Sequence, residues 1–228
     1  MLTIHIEEAG YEQKKSVIQQ LTLQLPTGTI IGLLGANGAG KSTIIQTLIG
    51  TIPYVKGHIE LPQFGYVPER PILYEHFTLQ EHIDFLVATV DQPKEQLYTR
   101  AYALCERFRL TKWLHHFPVT FSKGMQQKVM LVLAFAPTYA LYIVDEPFMG
   151  LDPQAMRQFI QLIQEEKANG ATIFMSTHAL DTAEKICDSF LLLHEGKLLQ
   201  EGTLQQMQQT VDESLLHLFD RMMEGATT

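Results

Sequence analysis

Cysteine is scarce in this chain of 228 residues, where Cys105 and Cys187 are the only two. They stand far apart and in no metal-ligand spacing, which excludes a disulfide framework and a cysteine-built zinc site and fits reduced, buried thiols of a cytosolic protein. Long apolar runs are missing as well. The longest, Val129 to Ala136, is far short of the roughly 20 residues that cross a bilayer, so no membrane-spanning helix is expected. Positive charge is in deficit: the formal net charge is -8. That balance argues against a surface built to neutralise phosphate backbones, and no nucleic-acid partner is expected. The opening Met1-Leu2-Thr3-Ile4 lacks the basic-then-apolar layout of a signal peptide and reads as a strand, so a cytoplasmic location is expected. Internal repeats, low-complexity tracts and dividing linkers are absent too, and a single domain over 1–228 is expected.

What is present is a globular composition, 46% hydrophobic, carrying two periodicities. Leu2 to Ile6, Val17 to Leu25 and Ile30 to Leu34 alternate or run apolar between polar turns, which predicts β-strands. Residues 41–50 predict a helix and 57–67 a strand. From Leu79 to Val90 and from Glu95 to Arg109 the apolar residues fall at helical spacing, which predicts a helical insert over about 70–136. After Met125 to Phe135, strand and helix alternate through Leu141 to Val144, Pro153 to Lys167, Ala171 to Met175, Leu180 to Ile186 and Phe190 to Leu193. Such alternation predicts a mostly parallel sheet with crossover helices. A polar stretch, Gln200 to Gln209, precedes an amphipathic helix over about 211–224 that is expected to lay Leu215, Leu218, Phe219 and Met222 on its own domain.

Two segments carry chemistry. Gly35-Ala36-Asn37-Gly38-Ala39-Gly40-Lys41-Ser42-Thr43 fits G-x-x-x-x-G-K-[ST] directly after a predicted strand and before a predicted helix. Its glycines let successive backbone N–H groups point inward around β- and γ-phosphates. Lys41 adds a cation, Ser42 a ligand for Mg²⁺, and the helix N-terminus its dipole. A bare glycine-rich turn is the bland alternative, and the strand before it and helix after it argue against that. Leu141-Tyr142-Ile143-Val144-Asp145-Glu146 is a buried strand ending in two acids that point to opposite faces. Asp145 is expected to hold Mg²⁺ through water and Glu146 to polarise the water that attacks the γ-phosphate. The ligands expected are a nucleoside triphosphate and Mg²⁺.

Phe121-Ser122-Lys123-Gly124-Met125-Gln126-Gln127-Lys128, shortly before the acidic strand, resembles the signature motif of ATP-binding cassette (ABC) ATPases. Against the usual L-S-G-G-Q, Phe121, Lys123 and Met125 are replacements, while Ser122 and Gly124 stand. Ser122 doubles as a helix N-cap. Tyr11 resembles the aromatic that stacks on adenine, Gly150-Leu151-Asp152 the D-loop, and His178 in Ser176-Thr177-His178 the switch histidine. Each has a plain reading as well: Tyr11 as core, Asp152 before Pro153 as an N-cap, His178 as structure. Where the family places its Q-loop glutamine, in Gly65-Tyr66-Val67-Pro68-Glu69-Arg70, this chain has Glu69. A carboxylate also ligates Mg²⁺ but does not donate a hydrogen bond when ionised. Pairing of Glu69 with Arg70 is the alternative.

The resemblance implies an α/β fold, a P-loop NTPase of ABC ATPase type. Its parts are a mostly parallel sheet core, an N-terminal antiparallel β-subdomain and a helical signature subdomain. It also implies an ATPase that works as a homodimer, each ATP lying between the Gly35–Thr43 cradle of one copy and the Ser122 signature of the other, with Glu146, His178 and Lys41 catalytic. A separate integral membrane permease is the implied partner, placing the chain peripherally on the inner face of the cell membrane. Tyr66 to Phe77 is a candidate socket for that permease, or ordinary core. The stretches Phe121 to Lys128, Asp145 to Pro153 and Met175 to His178 are similar to Ecs-type exporter ATPases, linked to peptide export and protein secretion. Two rivals are weaker. A soluble ABC ATPase acting on nucleic acid or ribosomes usually carries two cassettes, coiled coils or basic inserts, and a non-catalytic sensing module would have lost one of Lys41, Asp145, Glu146 and His178.

Overall fold

The structure, a computed structural model, describes residues 1–13, 15–209 and 213–226. Strands β1 (Leu2–Glu12), β2 (Lys15–Leu25) and β4 (Tyr54–His58) form an antiparallel sheet in the order β2-β1-β4. A second sheet is built from β3 (Ile30–Gly35), β5 (Phe64–Val67), β6 (Leu141–Asp145), β7 (Thr172–Ser176), β8 (Ser189–His194) and β9 (Lys197–Gly202), in the order β5-β6-β7-β3-β8-β9. Its first five strands run parallel, and β9 returns antiparallel to β8.

The two sheets read differently in sequence because they are covered differently. Where β1 and β2 pair regularly, buried and exposed residues alternate, as in Ile4 and Ile6 against Leu21, Leu23 and Leu25, because one face of this sheet is wet. β3, β6 and β7 are buried at every position, as strands covered on both faces must be. The inner face of the antiparallel sheet joins Ile31, Leu33, Ile143 and Phe174 of the large sheet, with Ile44 and Ile45 of helix α1 (Lys41–Leu48), in one apolar cluster.

The other face of the large sheet carries the helical insert: α2 (Leu79–Thr89), α3 (Lys94–Arg107) and α4 (Lys123–Phe135), and then α5 (Pro153–Ala168). Thr78 and Glu81 close a capping box at the start of α2, which satisfies donors that a helix N-terminus leaves orphaned. The insert is tied to α5 by Arg100, which pairs with buried Glu166 at 2.7 Å, and by Arg107, which grips Glu165 with both guanidinium N–H groups. α6 (Leu180–Ile186) and the short α7 (Leu204–Met207) complete the body. The last helix, α8 (Leu215–Ala226), packs Leu215, Leu218, Phe219 and Met222 against Leu34, Ala183, Phe190 and Leu192 of its own chain. Its expected start near 211 lies outside the described residues.

One expectation needs correction. Residues 57–67 are not one strand: β4 ends at His58, and the chain crosses through Pro62 to begin β5 in the other sheet. The polar stretch from Gln200 begins inside β9, a half-exposed edge strand whose apolar alternation is too weak to announce it. Cys105 is buried as expected, while Cys187 is only partly so. Burial pushes both thiols up to about 12, which keeps them protonated and unreactive.

Candidate functional site

Strands β5, β6, β7 and β3 are neighbours in that order and point the same way, so their carboxyl ends meet at one edge. Ligands of open parallel sheets bind in that position. Glu69 follows β5, Asp145 ends β6 and Glu146 follows it, His178 follows β7, and the glycine-rich turn follows β3. A cavity of about 590 Å³ opens there, lined by Asn37, Gly38, Gly40, Lys41, Ser42, Thr43, Glu69, Asp145, Glu146 and His178. Tyr11 and Val17, from the antiparallel sheet, form its far wall. Residues scattered over most of the sequence thus converge on one space.

The turn before α1 is left open for an anion. Its N-cap, Gly40, offers no side-chain acceptor, and the first turn of α1 carries no acid, so backbone N–H groups there have no internal competitor. Lys41 is 9% exposed. Its ammonium donates to the carbonyls of Gly35 (2.7 Å) and Ala36 (3.3 Å). Burial lowers its pKa, an effect opposed by Glu146, Asp145 and Glu69. Ala39 lies beneath the turn, buried.

The acids are held individually. Ser176 donates a short hydrogen bond to Asp145. Burial raises the Asp145 carboxyl above its ordinary value; the Ser176 bond opposes the rise, while Glu69 and Glu146 add to it. Glu146 sits in the left-handed region at φ 47°, with its N–H directed to the Ser176 carbonyl (3.2 Å) and hydroxyl (3.1 Å). That unusual backbone turns the carboxylate toward His178, whose N–H donates to Oε2 at 3.2 Å and whose Nδ1 stands 2.8 Å from it. Glu69 lines the cavity, and among the described residues no ion pair joins it to Arg70. Tyr11 is 52% exposed and donates to Gln46 at 2.9 Å, so it is not a core residue.

Three expected site residues stand elsewhere. Ser122 caps α4, accepting from the Met125 N–H at 3.3 Å. Gly124 approaches the D-loop so closely that a Cβ there would land on the Gly150 carbonyl oxygen, which explains a glycine at this position while Lys123 is tolerated next door. Asp152 caps α5, accepting from the N–H groups of Gln154 (3.0 Å) and Ala155 (2.8 Å), and pairs with Lys128 at 2.6 Å. None of the three lines the cavity.

Residues 18–149 match the family model described as ABC transporter. This chain belongs to that family. It is an ABC ATP-binding subunit, an ATPase of the kind coupled to transport. It is 44% identical to YthP, an uncharacterized ABC transporter ATP-binding protein of Bacillus subtilis (strain 168), over 99% of this chain and 98% of the relative. It is 42% identical to the ABC-type transporter ATP-binding protein EcsA of the same organism, over 92% of this chain and 90% of that one. A solved structure described as the ATP binding subunit of an ABC transporter superposes with TM-score 0.93 at 38% identity, covering 98% of this chain and 100% of the other. The ABC fold accounts for the division into antiparallel sheet, parallel core and helical insert. Ser176, which serves both acids, and Val17, which lines the wall beside Tyr11, are site residues that their types alone did not announce.

Proposed function

We propose that the subunit binds MgATP between Tyr11 and the Gly35–Thr43 turn, with the base on Tyr11 and the phosphates on the N-terminus of α1 and Lys41. The observation that carries this reading is the single cavity in which an exposed aromatic, an open helix N-terminus, a buried ammonium and three carboxylates meet. Among the described residues no cluster of histidines, cysteines and acids forms a ready-made metal cage. That suits Mg²⁺ arriving with its nucleotide, because this ion binds through one or two carboxylates plus substrate phosphates. Ser42 and Asp145 are the protein's share of its ligands, with Glu69 as a further carboxylate on the Mg²⁺ side. Glu146 accepts the proton of the attacking water, and His178, held on Glu146, orients that water and the γ-phosphate.

The separation of Ser122, Gly124 and Asp152 from the cavity supports a head-to-tail pair, in which each signature turn completes the site of the other copy. ATP then favours the closed pair, and hydrolysis releases it. Among the described residues no helix is long and apolar enough to cross a membrane. Membership of the ABC transporter family supports a membrane permease as the partner that holds the transport path, with the pair working on its cytoplasmic side. Ile72, Tyr74 and Phe85 are exposed just beyond Glu69, and the rings of Tyr74, Phe77 and Phe85 cluster there. This patch is the socket for the permease. The similarity to EcsA supports an Ecs-type exporter concerned with peptide export or protein secretion.

The deciding experiment is Glu146→Gln. It is expected to keep ATP affinity, lower turnover by about 100-fold or more, and accumulate an ATP-bound dimer visible by native mass. Turnover near that of the wild type would remove Glu146 from the proton-accepting role.

A further inference from the structure

The β8–β9 hairpin turns through Glu195 (φ 45°) and Gly196 (φ 76°), the type I′ pattern in which both central residues have positive φ. A turn needs no more than that. This one, however, is wedged between the two sides of the nucleotide cavity. The Gly196 N–H donates to the Ala39 carbonyl, inside the phosphate turn, at 2.8 Å. A Cβ on Gly196 would land on the Val17 carbonyl oxygen, and Val17 lines the cavity wall that carries Tyr11. The contact closes into a ring through Ile18. A Cβ on Gly40 would meet Ile18 Cδ1 at 2.9 Å and the Gly196 Cα at 3.5 Å. The hairpin backbone at Gly196 therefore touches the backbones of β2 and the phosphate turn, the Ile18 side chain packs against Gly40 beside it, and neither glycine has room for a Cβ.

We infer that Gly196 is a positioning residue for ATP, setting the distance between the base-binding wall and the phosphate turn. The inference rests on the MgATP reading of the cavity. A nucleotide gripped at both ends is sensitive to that distance, because groups held out of register by a fraction of an ångström lose binding to one end or the other. Glu146 and His178, assigned to the γ-phosphate end, follow β6 and β7 rather than the hairpin and are expected to keep their places. Loosening the joint thus raises the KM for ATP and leaves kcat at saturation nearly unchanged, a split that general loss of folded protein does not produce.

The test uses the full chain, with wild type, Gly196→Ala, Gly196→Asn, Glu195→Asn and Ile18→Val. ATP binding is measured by titration, ATPase kinetics against ATP concentration, and melting in the absence of nucleotide. Asparagine tolerates positive φ, so Gly196→Asn preserves the turn and disturbs only the close approach. Both Gly196 variants are expected to raise KM and Kd for ATP about tenfold or more with kcat within about threefold. Glu195→Asn is expected to match the wild type. Ile18→Val removes only Cδ1, the atom between β2 and Gly40, and is expected to fold and to raise KM by about threefold. Wild-type KM in Gly196→Asn would show that the glycine serves the turn alone and would overturn the inference. If the Gly196 variants fail to fold, an unchanged KM in Ile18→Val overturns it. Failure of wild-type chain to bind ATP would instead overturn the reading of the cavity.

Discussion

The cavity and the signature turn are the same local device, a loop feeding a helix N-terminus, finished in opposite ways. At α1 the cap is glycine, no side chain competes for the backbone N–H groups, and a buried ammonium sits beside them. At α4 the cap is Ser122, whose own hydroxyl occupies the Met125 N–H. The first terminus is open to an anion and lies in the cavity; the second has one N–H taken by its own cap and lies partly exposed at the surface. This difference teaches which end does what. On the proposed reading, a single chain carries most of one binding site and the turn that completes another.

If that division holds, substitutions at the two termini separate cleanly. Gly124→Ala forces a methyl onto the Gly150 carbonyl and displaces the signature turn. Turnover of the paired subunits is expected to drop about 100-fold, the order lost when a positioned group moves by an ångström, while the lone chain's ATP affinity stays as it was. Comparing Kd from titration with kcat from steady-state hydrolysis makes the test. Weakened affinity in the lone chain would collapse the distinction between the two regions. Tyr11→Ala is the converse case. Removing the ring from the cavity wall is expected to weaken ATP binding by about 1 to 3 kcal/mol, the range for bases stacked on aromatic side chains, or about 5- to 150-fold in Kd. Calorimetry that finds equal affinity would make the wall mere structure.

The same contrast explains what could be read in advance. Gly35 to Thr43 announces itself because its pattern is local: one turn, one helix N-terminus and one lysine are adjacent in sequence. Asp145, Glu146 and His178 are legible because they stand at the ends of fully buried strands, whose cores Leu141–Val144 and Ile173–Met175 read as apolar runs. Residues that act through long-range contact have no such signal. Ser176 looks like any strand-end serine until the fold sets it against Asp145 and the Glu146 N–H. Gly196 looks like any hairpin glycine until its N–H is found on Ala39. The break between β4 and β5 was hidden because both halves have strand-like composition, and only the pairing tells them apart.

Glu69 sharpens the comparison from inside the cavity. It sits where the family's glutamine is expected, and its charge is felt by Lys41, Asp145 and Tyr66. Burial, then Asp145 and Glu69, pushes the Tyr66 phenol up to about 12. Glu69→Gln keeps size and removes one negative charge, so the Mg²⁺ dependence of hydrolysis is expected to shift and permease stimulation to fall. ATP affinity is expected to stay within about threefold, and Glu69→Ala to be worse on both counts. ATPase activity against Mg²⁺ concentration, with and without the membrane partner, gives the answer. Superimposed curves for all three proteins would leave Glu69 without a sensing role.

The smallest expected effect concerns stability, and it asks whether the cavity is strained for its task in a way the signature turn is not. Asp145 is 6% exposed; burial raises its carboxyl above the ordinary value, more than the Ser176 hydrogen bond and Lys41 lower it. A carboxyl whose folded pKa exceeds its unfolded one costs stability wherever it is ionised in the fold. That cost disappears as pH falls through the folded value toward the unfolded one, about 3.9. Asp145→Asn keeps an acceptor for the Ser176 hydroxyl and removes the charge. Without nucleotide it is therefore expected to melt above the wild type at neutral pH, with the gap narrowing as pH falls. Adding MgATP should reverse the order, because only the wild type keeps both Asp145 and Glu69 as carboxylates on the Mg²⁺ side and gains the full stabilisation of a bound ligand. Melting curves from about pH 4 to about pH 8, with and without MgATP, contain both signs. A nucleotide-free variant that melts below the wild type at neutral pH would make Asp145 a structural anchor, and the contrast between a strained cavity and a satisfied signature turn would fail.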